Sequence, residues 1–367
     1  MLTSLRVTGF RNFASLSMEG LTRVNLLVGE NNAGKTSVLE AAEILLLAQT
    51  SSFALARGPM RRGENVPPRL GDDGDDEPYS RAEIYLGNLF HGHETSPGNK
   101  FELHGETSRG PLSVSCSLEI AETEPIDDED VPVRAQTTET LVRIVRMAET
   151  GTRTSSLPLE LSRATEKMLR QRRMSFEFGM SALQFVGTAS PRRDALHVLW
   201  DGIVLTPEEQ KVIEAMQLIQ SDIERIAWLS YSSSGTDGFF VKLQHSDRRV
   251  PLGSMGEGIK RLLVLALNLV KSAGGYLLVD EIDTGLHYSV MVKMWKLVVE
   301  TARRLDIQVF ATTHSLDCIQ ALAGLYESDP DVREEISLHR IEKGAPASIR
   351  YSADEILNAA QRQVEVR

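Results

Sequence analysis

The chain has 367 residues, of which 41% are hydrophobic and 25% are charged, as in ordinary globular proteins with a sizeable core. The formal net charge of −11 argues against a uniformly basic nucleic-acid-binding surface, although it leaves room for a local basic patch. Two distant cysteines, Cys116 and Cys318, argue against a disulfide framework and favour the reducing cytoplasm. No secretory signal pattern opens the chain, and no apolar run approaches the roughly 18 residues of a membrane span.

The first half of the chain mixes strand patterns with polar stretches. Apolar and branched residues predict two strands near the N-terminus, and helical spacing of apolar residues begins at Lys35. A Pro-, Gly- and Arg-rich stretch that turns acidic predicts a loop over 57–79. A basic helix is expected over 158–173. The strands are expected at 2–8, 23–28, 81–87, 100–105, 112–120 and 182–187.

The second half alternates strands and helices. This order is typical of a mostly parallel sheet with helices on its faces, so we expect an α/β fold. Thr206, Pro207 and Glu209 predict the start of one of these helices. The helices are expected at 193–202, 207–220, 257–271, 289–305 and 315–325, and the strands at 224–230, 239–243, 276–280 and 307–313, followed by a closing strand in SLHRIEKG and a closing helix in SADEILNAA.

Residues 29–36 read GENNAGKT and fit the phosphate-binding pattern G-x-x-x-x-G-K-[ST] between a strand and a helix. Glycines let the backbone turn tightly, so that its amides and the helix N-terminus can face phosphate oxygens. Lys35 would reach the β- and γ-phosphates of ATP, and the Thr36 hydroxyl would bind Mg²⁺. The residues expected to contact the nucleotide here are Gly29, Asn31, Asn32, Ala33, Gly34, Lys35, Thr36 and Ser37.

The stretch YLLVDEID predicts a buried strand that ends in two carboxylates, Asp280 and Glu281. Ligands of open α/β sheets bind beyond the carboxyl ends of strands, so Asp280 would hold Mg²⁺ and Glu281 would deprotonate the attacking water. The next strand, IQVFATTH, ends in His314, which could bond the γ-phosphate. The plainer alternatives are an acidic pair that caps a helix and a structural histidine.

The stretch LGSMGEG adds a serine and glycines at a helix start, with Glu257 where transporters often have glutamine. The order of these motifs resembles the ABC-type ATPase head, a P-loop NTPase fold. The resemblance implies that Ser254, Gly256 and Glu257 cap the γ-phosphate held by a second copy, and that Asp283 lies in a loop crossing the interface of a homodimer. An ordinary N-cap serine is the alternative.

The opening LRVTGFRNF resembles the SMC/RecF-like branch of that family. About 220 residues separate Lys35 from Ser254 without sustained heptads, which argues against a long coiled coil. The compact form is similar to the ATPase module of the OLD (overcoming lysogenisation defect) group of anti-phage proteins, without a Toprim nuclease domain. This resemblance implies a separate nuclease or toxin effector. The alternatives are a RecF-like repair ATPase acting on DNA and a module that only binds nucleotide.

The same resemblance suggests a single ATPase head over residues 1–367. Its nucleotide-binding core would comprise 1–50 and 176–367, and 51–175 would be an inserted β-rich and helical region. The family's Mg²⁺-contacting glutamine is assigned to Gln184 rather than to Gln49. Arg11 and Asn12 resemble a position near the α-phosphate or the base. The basic residues of 158–173, with Arg192 and Arg193, would bind a partner or DNA, or form a solvated face.

Overall fold

The computed structural model describes residues 1–64, 84–122, 138–161, 182–189, 193–217, 220–229, 237–246 and 248–362. The strands are β1 (Leu2–Phe10), β2 (Phe13–Glu19), β3 (Val24–Val28), β4 (Ile84–Tyr85), β5 (Lys100–Thr107), β6 (Gly110–Glu122), β7 (Thr138–Ala148), β8 (Gly151–Pro158), β9 (Glu160–Leu161), β10 (Leu183–Val186), β11 (Ile223–Leu229), β12 (Gly238–Leu243), β13 (Arg249–Pro251), β14 (Tyr276–Val279), β15 (Gln308–Thr312), β16 (Ile336–Arg340) and β17 (Ile349–Tyr351). The α-helices are α1 (Lys35–Leu47), α2 (Ala54–Arg62), α3 (Arg193–Asp201), α4 (Pro207–Gln217), α5 (Glu257–Lys271), α6 (Tyr288–Arg304), α7 (Leu316–Ser328) and α8 (Ala353–Arg362).

The central sheet has the strand order β10-β14-β15-β3-β16-β17. Its neighbours are parallel except for the pair of β16 and β17. Every residue of β3 and β15 is buried, because layers cover both faces of the sheet. The α/β prediction is therefore confirmed: the sheet is mostly parallel and helices pack on its faces.

A second six-stranded sheet is antiparallel and has the order β2-β1-β5-β6-β7-β8. In its register, Leu5 of β1 lies opposite Gly105 of β5. Strands β5 to β8, which lie in the region that the sequence analysis assigned to an insertion, thus continue the sheet that the N-terminus begins, whereas β4 and β9 pair with each other. A smaller sheet, β11-β12-β13, lies along the chain before α5.

Helix α1 lies between the two large sheets and contacts strands of both. Eleven of its thirteen residues are buried, so the helix is covered around almost its whole circumference. One hydrophobic cluster joins α1 to the antiparallel sheet, and another packs α5, α6 and α7 on the parallel sheet. Among the described helices, none combines the length and apolar character needed to cross a bilayer.

Several local expectations differ from the structure. The stretch predicted as a loop over 57–79 begins inside α2, because arginines of this helix pair with buried carboxylates on α1 despite an internal Pro59. Strands β2, β7 and β8 had no counterpart in the sequence analysis. The stretch predicted as a helix over 158–173 begins instead with the last residue of β8 and with strand β9. Its remaining residues from 162 onward lie outside the described part of the chain.

Gln308 fastens the N-terminal strand to the central sheet. Its side chain is buried; Oε1 accepts a bond from the Leu2 amide at 2.7 Å, and Nε2 donates to the carbonyls of Leu2 and Thr22 at 2.7 and 2.8 Å. We expect Gln308→Leu to lower the free energy of unfolding by about 2–4 kcal/mol, because buried backbone groups lose their partners. Urea unfolding of the full chain measures this loss. Gln210→Leu, on the exposed face of α4, is the matched control, and equal effects of the two changes would contradict the assignment.

Candidate active site

Three neighbouring parallel strands end at one edge of the central sheet. The order β14-β15-β3 places Asp280, after β14, beside the end of β15 and beside the loop that follows β3. The carboxyl ends of parallel strands face the same edge, so residues far apart in the sequence meet there. The three sequence motifs therefore converge at this edge.

The loop after β3 depends on two glycines with positive φ. Gly29 has φ 143°, and a Cβ there would lie 2.4 Å from the Ile341 carbonyl oxygen. Gly34 has φ 103°, and a Cβ there would lie 2.5 Å from the ring of Phe13. No side chain caps the start of α1, so its first amides remain available to an anion. The loop is thus shaped for phosphate by close packing from both sides.

Lys35 folds back over this loop. Its Nζ donates to the carbonyls of Gly29 at 2.8 Å and Glu30 at 2.9 Å, which leaves one of the three ammonium donors for a ligand. Burial lowers the pKa of the Lys35 ammonium below its usual range, and the carboxylates of Asp280 and Glu281 oppose this shift. The positive charge therefore sits in a partly desolvated position, where it interacts strongly with phosphate.

Thr36, Asp280 and Thr312 form a connected set of oxygen atoms. The Thr36 hydroxyl donates to the Asp280 carboxylate at 3.0 and 3.1 Å, and the Thr312 hydroxyl donates to Asp280 Oδ1 at 2.7 Å. Hydroxyl and carboxylate oxygens are ligands that suit Mg²⁺, which commonly takes one or two protein oxygens besides phosphate and water. No cluster of three or more His, Cys, Asp or Glu side chains suited to a metal occurs among the described residues.

Glu281 has a left-handed backbone, with φ 47°. Its amide donates to the Thr312 hydroxyl at 2.8 Å. One carboxylate oxygen lies 3.3 Å from Nδ1 of His314, and the other accepts a bond from the Thr284 hydroxyl at 3.2 Å. Both oxygens of a half-exposed carboxylate are therefore oriented beside the Asp280 set, in a position from which the group could accept a proton from water.

A cavity of about 530 Å³ opens over these groups. Arg11 and Asn12, which the sequence analysis placed near the α-phosphate or the base, line it. Nε of Arg11 lies 2.6 Å from Glu40 Oε2, and Asn12 Oδ1 accepts a bond from the Ser37 hydroxyl at 2.9 Å. Sequence reasoning missed several other lining residues, since they come from separate loops and helices: Arg62, Glu64, Asn88, His93 and Thr312.

Other predicted residues lie outside this cavity. Gln184 lies within β10, opposite Leu277, and Leu277 precedes Asp280 by three residues along the chain. Gln49 lies just beyond the C-terminal end of α1, where its side chain donates to backbone carbonyls. The structure brings neither glutamine to the oxygen atoms of Thr36 and Asp280. Arg192, like most of 158–173, lies outside the described residues.

The glycine turn before α5 also lies away from its own chain's cavity. Ser254, Gly256 and Glu257 are exposed, and Glu257 pairs with Lys260 at 2.6 Å. Asp283 accepts a bond from the Thr313 hydroxyl at 2.7 Å, next to His314. His314 contacts Glu281 at the edge of the cavity. Within the part of the chain that the structure describes, the turn residues do not line this cavity.

Replacing Thr312 tests the oxygen network. Thr312→Val keeps the side-chain volume but removes the hydroxyl that holds both Asp280 and the Glu281 amide, and a buried group left unpaired costs about 1–3 kcal/mol. We expect a loss of stability of that size and a weaker effect of Mg²⁺ on ATP binding, measured by titration calorimetry with and without the metal. Thr301→Val, equally buried on α6, should leave the Mg²⁺ effect intact; an unchanged Mg²⁺ effect in Thr312→Val would contradict this role.

Comparison with known proteins gives a relative that matches almost the whole chain, a relative that matches a short stretch, and a family. A protein of Helicobacter pylori named ATP/GTP phosphatase is 21% identical and matches 93% of this chain and 90% of its own length. The DNA replication and repair protein RecF of Geobacter metallireducens is 42% identical over 69 residues, which are 19% of this chain and 18% of RecF. The SMC head domain from Thermotoga maritima aligns with 96% of this chain and 98% of its own, at 16% identity and a TM-score of 0.46.

One family model matches residues 24–317, most of the chain, and its description is "AAA domain, putative AbiEii toxin, Type IV TA system". The matched stretch contains the glycine loop with Lys35, the Asp280–Glu281 pair and His314. The chain therefore belongs to this AAA domain family and is a P-loop ATPase.

Proposed function

We propose that the protein hydrolyses Mg²⁺-ATP at sites shared between two copies of the chain, and that the ATP-bound dimer controls a separately encoded nuclease or toxin effector in bacterial defence against phage. The proposal rests on the separation of the sequence motifs in space. Lys35, Thr36, Asp280 and Glu281 line one cavity, whereas the turn at Ser254 lies exposed outside it. Each half is suited to bind phosphate, and neither encloses it alone.

Within one chain, each group has a distinct role in the proposed reaction. Lys35 and the amides at the start of α1 bind the β- and γ-phosphates, and Thr36 with Asp280 holds Mg²⁺, which neutralises phosphate charge when bound. Glu281 orients the attacking water and accepts its proton. His314, beside Glu281, donates a hydrogen bond to the γ-phosphate. The relative named ATP/GTP phosphatase supports nucleotide hydrolysis, and GTP should be assayed beside ATP.

The second copy would complete the site through the N-terminus of α5. No side chain caps this 15-residue helix, so its first amides are free to bind an anion together with the Ser254 hydroxyl. A two-fold axis would place this turn over the phosphate loop of the other copy, and the reverse contact would form at the second site. Asp283 lies in the adjoining loop and would reach the same interface.

The biological part of the proposal rests on the family description, which names a putative toxin of a type IV toxin–antitoxin system. Co-expression of the chain with the neighbouring genes, followed by phage infection, tests it. Protection should require both the intact ATPase and an effector gene, and protection that survives Lys35→Ala would contradict the proposal. The similarity to the OLD group remains part of this proposal.

Direct action on DNA is the second candidate function, favoured by the short matches to RecF. It predicts that duplex DNA binds the ATP-loaded protein and is released as the salt concentration rises, because phosphate contacts displace counterions. DNA binding that depends on neither ATP nor salt would count against this alternative.

Two substitutions separate binding from hydrolysis. Lys35→Ala should abolish ATP binding, because the partly buried ammonium that faces the phosphates is lost. Glu281→Gln should keep binding but slow hydrolysis by about 10²–10⁴-fold, so that an ATP-bound dimer accumulates. Light scattering after size exclusion measures the dimer, and phosphate release measures hydrolysis. Lys242→Ala, on the surface of β12, is the control, and unchanged hydrolysis in Glu281→Gln would remove the assigned base.

Mixing two inactive variants tests whether the site is shared. Lys35→Ala disables the phosphate loop, and Ser254→Arg blocks the exposed turn with a bulky side chain. If sites form between copies, a mixed dimer keeps one intact site, and a 1:1 mixture should regain at most about a quarter of the wild-type rate. If each chain works alone, the mixture should stay inactive. Ser254→Arg that hydrolyses ATP normally by itself would also contradict a shared site.

A further inference from the structure

Arg261 is a buried charged residue one helical turn after Glu257 on α5. It is 7% exposed, and no sequence motif singled it out. Burial lowers the pKa of its guanidinium, and the carboxylates of Asp283, Asp280 and Glu281 oppose the shift. A buried guanidinium is costly unless its donors are paired, so its partners are informative.

These partners are three backbone carbonyls at the ends of two strands. Nη1 of Arg261 donates to the Gly187 carbonyl at 2.9 Å, after β10. Nη2 donates to the carbonyls of Asp280 at 3.2 Å and Glu281 at 3.1 Å, after β14. The planar guanidinium can serve several acceptors at fixed angles, which a lysine cannot do. Arg261 therefore links the start of α5 to the loop that carries both acidic residues of the site.

Glu281 depends on this link because of its backbone. A left-handed conformation is unfavourable for a residue with a side chain and persists where the surroundings hold it. Thr312 holds the amide of Glu281, and Arg261 holds its carbonyl. Both backbone polar groups are thus held by side chains of other elements, and the Thr284 amide adds a bond to the same carbonyl at 3.0 Å. These bonds fix the backbone from which the Glu281 carboxylate extends toward His314 and Thr284.

We propose that Arg261 is a positioning residue for ATP hydrolysis, through which the helix that begins at the Ser254 turn sets the position of the Glu281 carboxylate. The proposal rests on the proposed function, in which Glu281 activates water and the turn meets the partner's nucleotide. It adds that closure of the turn on one nucleotide is coupled to alignment of the Glu281 carboxylate for the other through this side chain of α5. Arg261 itself touches neither phosphate nor water.

The first test separates affinity from turnover. Arg261→Met removes the donors but keeps a long side chain. We expect the affinity for a fluorescent ATP analogue, N-methylanthraniloyl-ATP, to stay within about threefold, since Lys35 and the glycine loop are unaltered. We expect kcat to fall by about 10- to 100-fold, because misplacement of a reacting group by about 1 Å has effects of this size. Arg261→Lys should keep a higher kcat than Arg261→Met, and it replaces the methionine variant in this test if that variant does not fold.

The second test combines Arg261→Met with Glu281→Gln. If Arg261 acts through Glu281, adding Arg261→Met should lower the residual single-turnover rate of Glu281→Gln by less than about threefold, because the effects of residues that act as a unit do not add. The matched control is Arg146→Met. Arg146 is also buried and donates to the Ala48 carbonyl and the Ser155 hydroxyl, away from the site. Its removal should lower stability and leave kcat unchanged.

The outcomes distinguish this inference from the proposed function. A kcat in Arg261→Met and Arg261→Lys equal to wild type, or a full 10-fold loss on top of Glu281→Gln, would overturn the positioning role while leaving Glu281 as the base. A parallel loss of kcat and nucleotide affinity would also overturn it, because the residue would then support the whole pocket. Full hydrolysis by Glu281→Gln would instead remove the proposed base itself.

Discussion

The enclosure of α1 between two sheets is the constraint on which the rest of the site depends. The helix follows β3 after a loop of six residues, and eleven of its thirteen residues are buried. Its N-terminus therefore has a fixed place at the edge where β14 and β15 end. Lys35 and Thr36 occupy the first two positions of the helix, so their distances from Asp280 are set by the packing of the whole core rather than by local loop geometry. A rigid support of this kind positions side chains more precisely than a surface loop does.

Enclosure of α1 also creates a charge problem whose solution shapes the cavity. Glu40 and Glu43 lie on the buried helix, and a buried carboxylate without a partner is very costly. Arg11 and Arg62 pair with Glu40, and arginines of α2 pair with Glu43. Arg11 and Arg62 line the cavity as well. Arg11 and Arg62 thus both neutralise Glu40 and form part of the cavity wall, and the pairing of α2 arginines with Glu43 explains why α2 folds against α1 even though it contains a proline.

The parts of the site that sequence could predict are those fixed by local pattern. Three such parts are contiguous stretches in which the residue spacing predicts the local geometry. They are the glycine loop, the strand followed by Asp280 and Glu281, and the strand before His314. Thr312 and Arg261 could not be found in this way. Their partners are 19 to 74 residues away along the chain, and only the register of β10, β14 and β15 and the course of α5 bring them together.

The predicted position of Gln184 illustrates a different limit. The pattern of 182–187 correctly indicates a strand, but it does not state which residue ends it. The strand ends at Val186, so the position at the edge of the sheet is Gly187, whose carbonyl binds Arg261. In the antiparallel sheet, β7 places the buried Arg146 in line with its apolar residues, and β8 is exposed at four consecutive residues, so neither strand shows a simple alternation of apolar and polar residues.

The start of α5 is the element where the two sides of the proposed shared site meet. On its outer side, the turn at Ser254 is exposed; on its inner side, one turn later, Arg261 holds the backbone of Glu281. A second route runs beside it, since Gly258 packs near Gly285 in the loop that carries Asp283, and Asp283 bonds Thr313 next to His314. Both routes end on groups that contact Glu281. In the proposed function, a shift of the turn by contact with another molecule would therefore reach Glu281 by two routes, while the phosphate loop, held by α1, would stay in place.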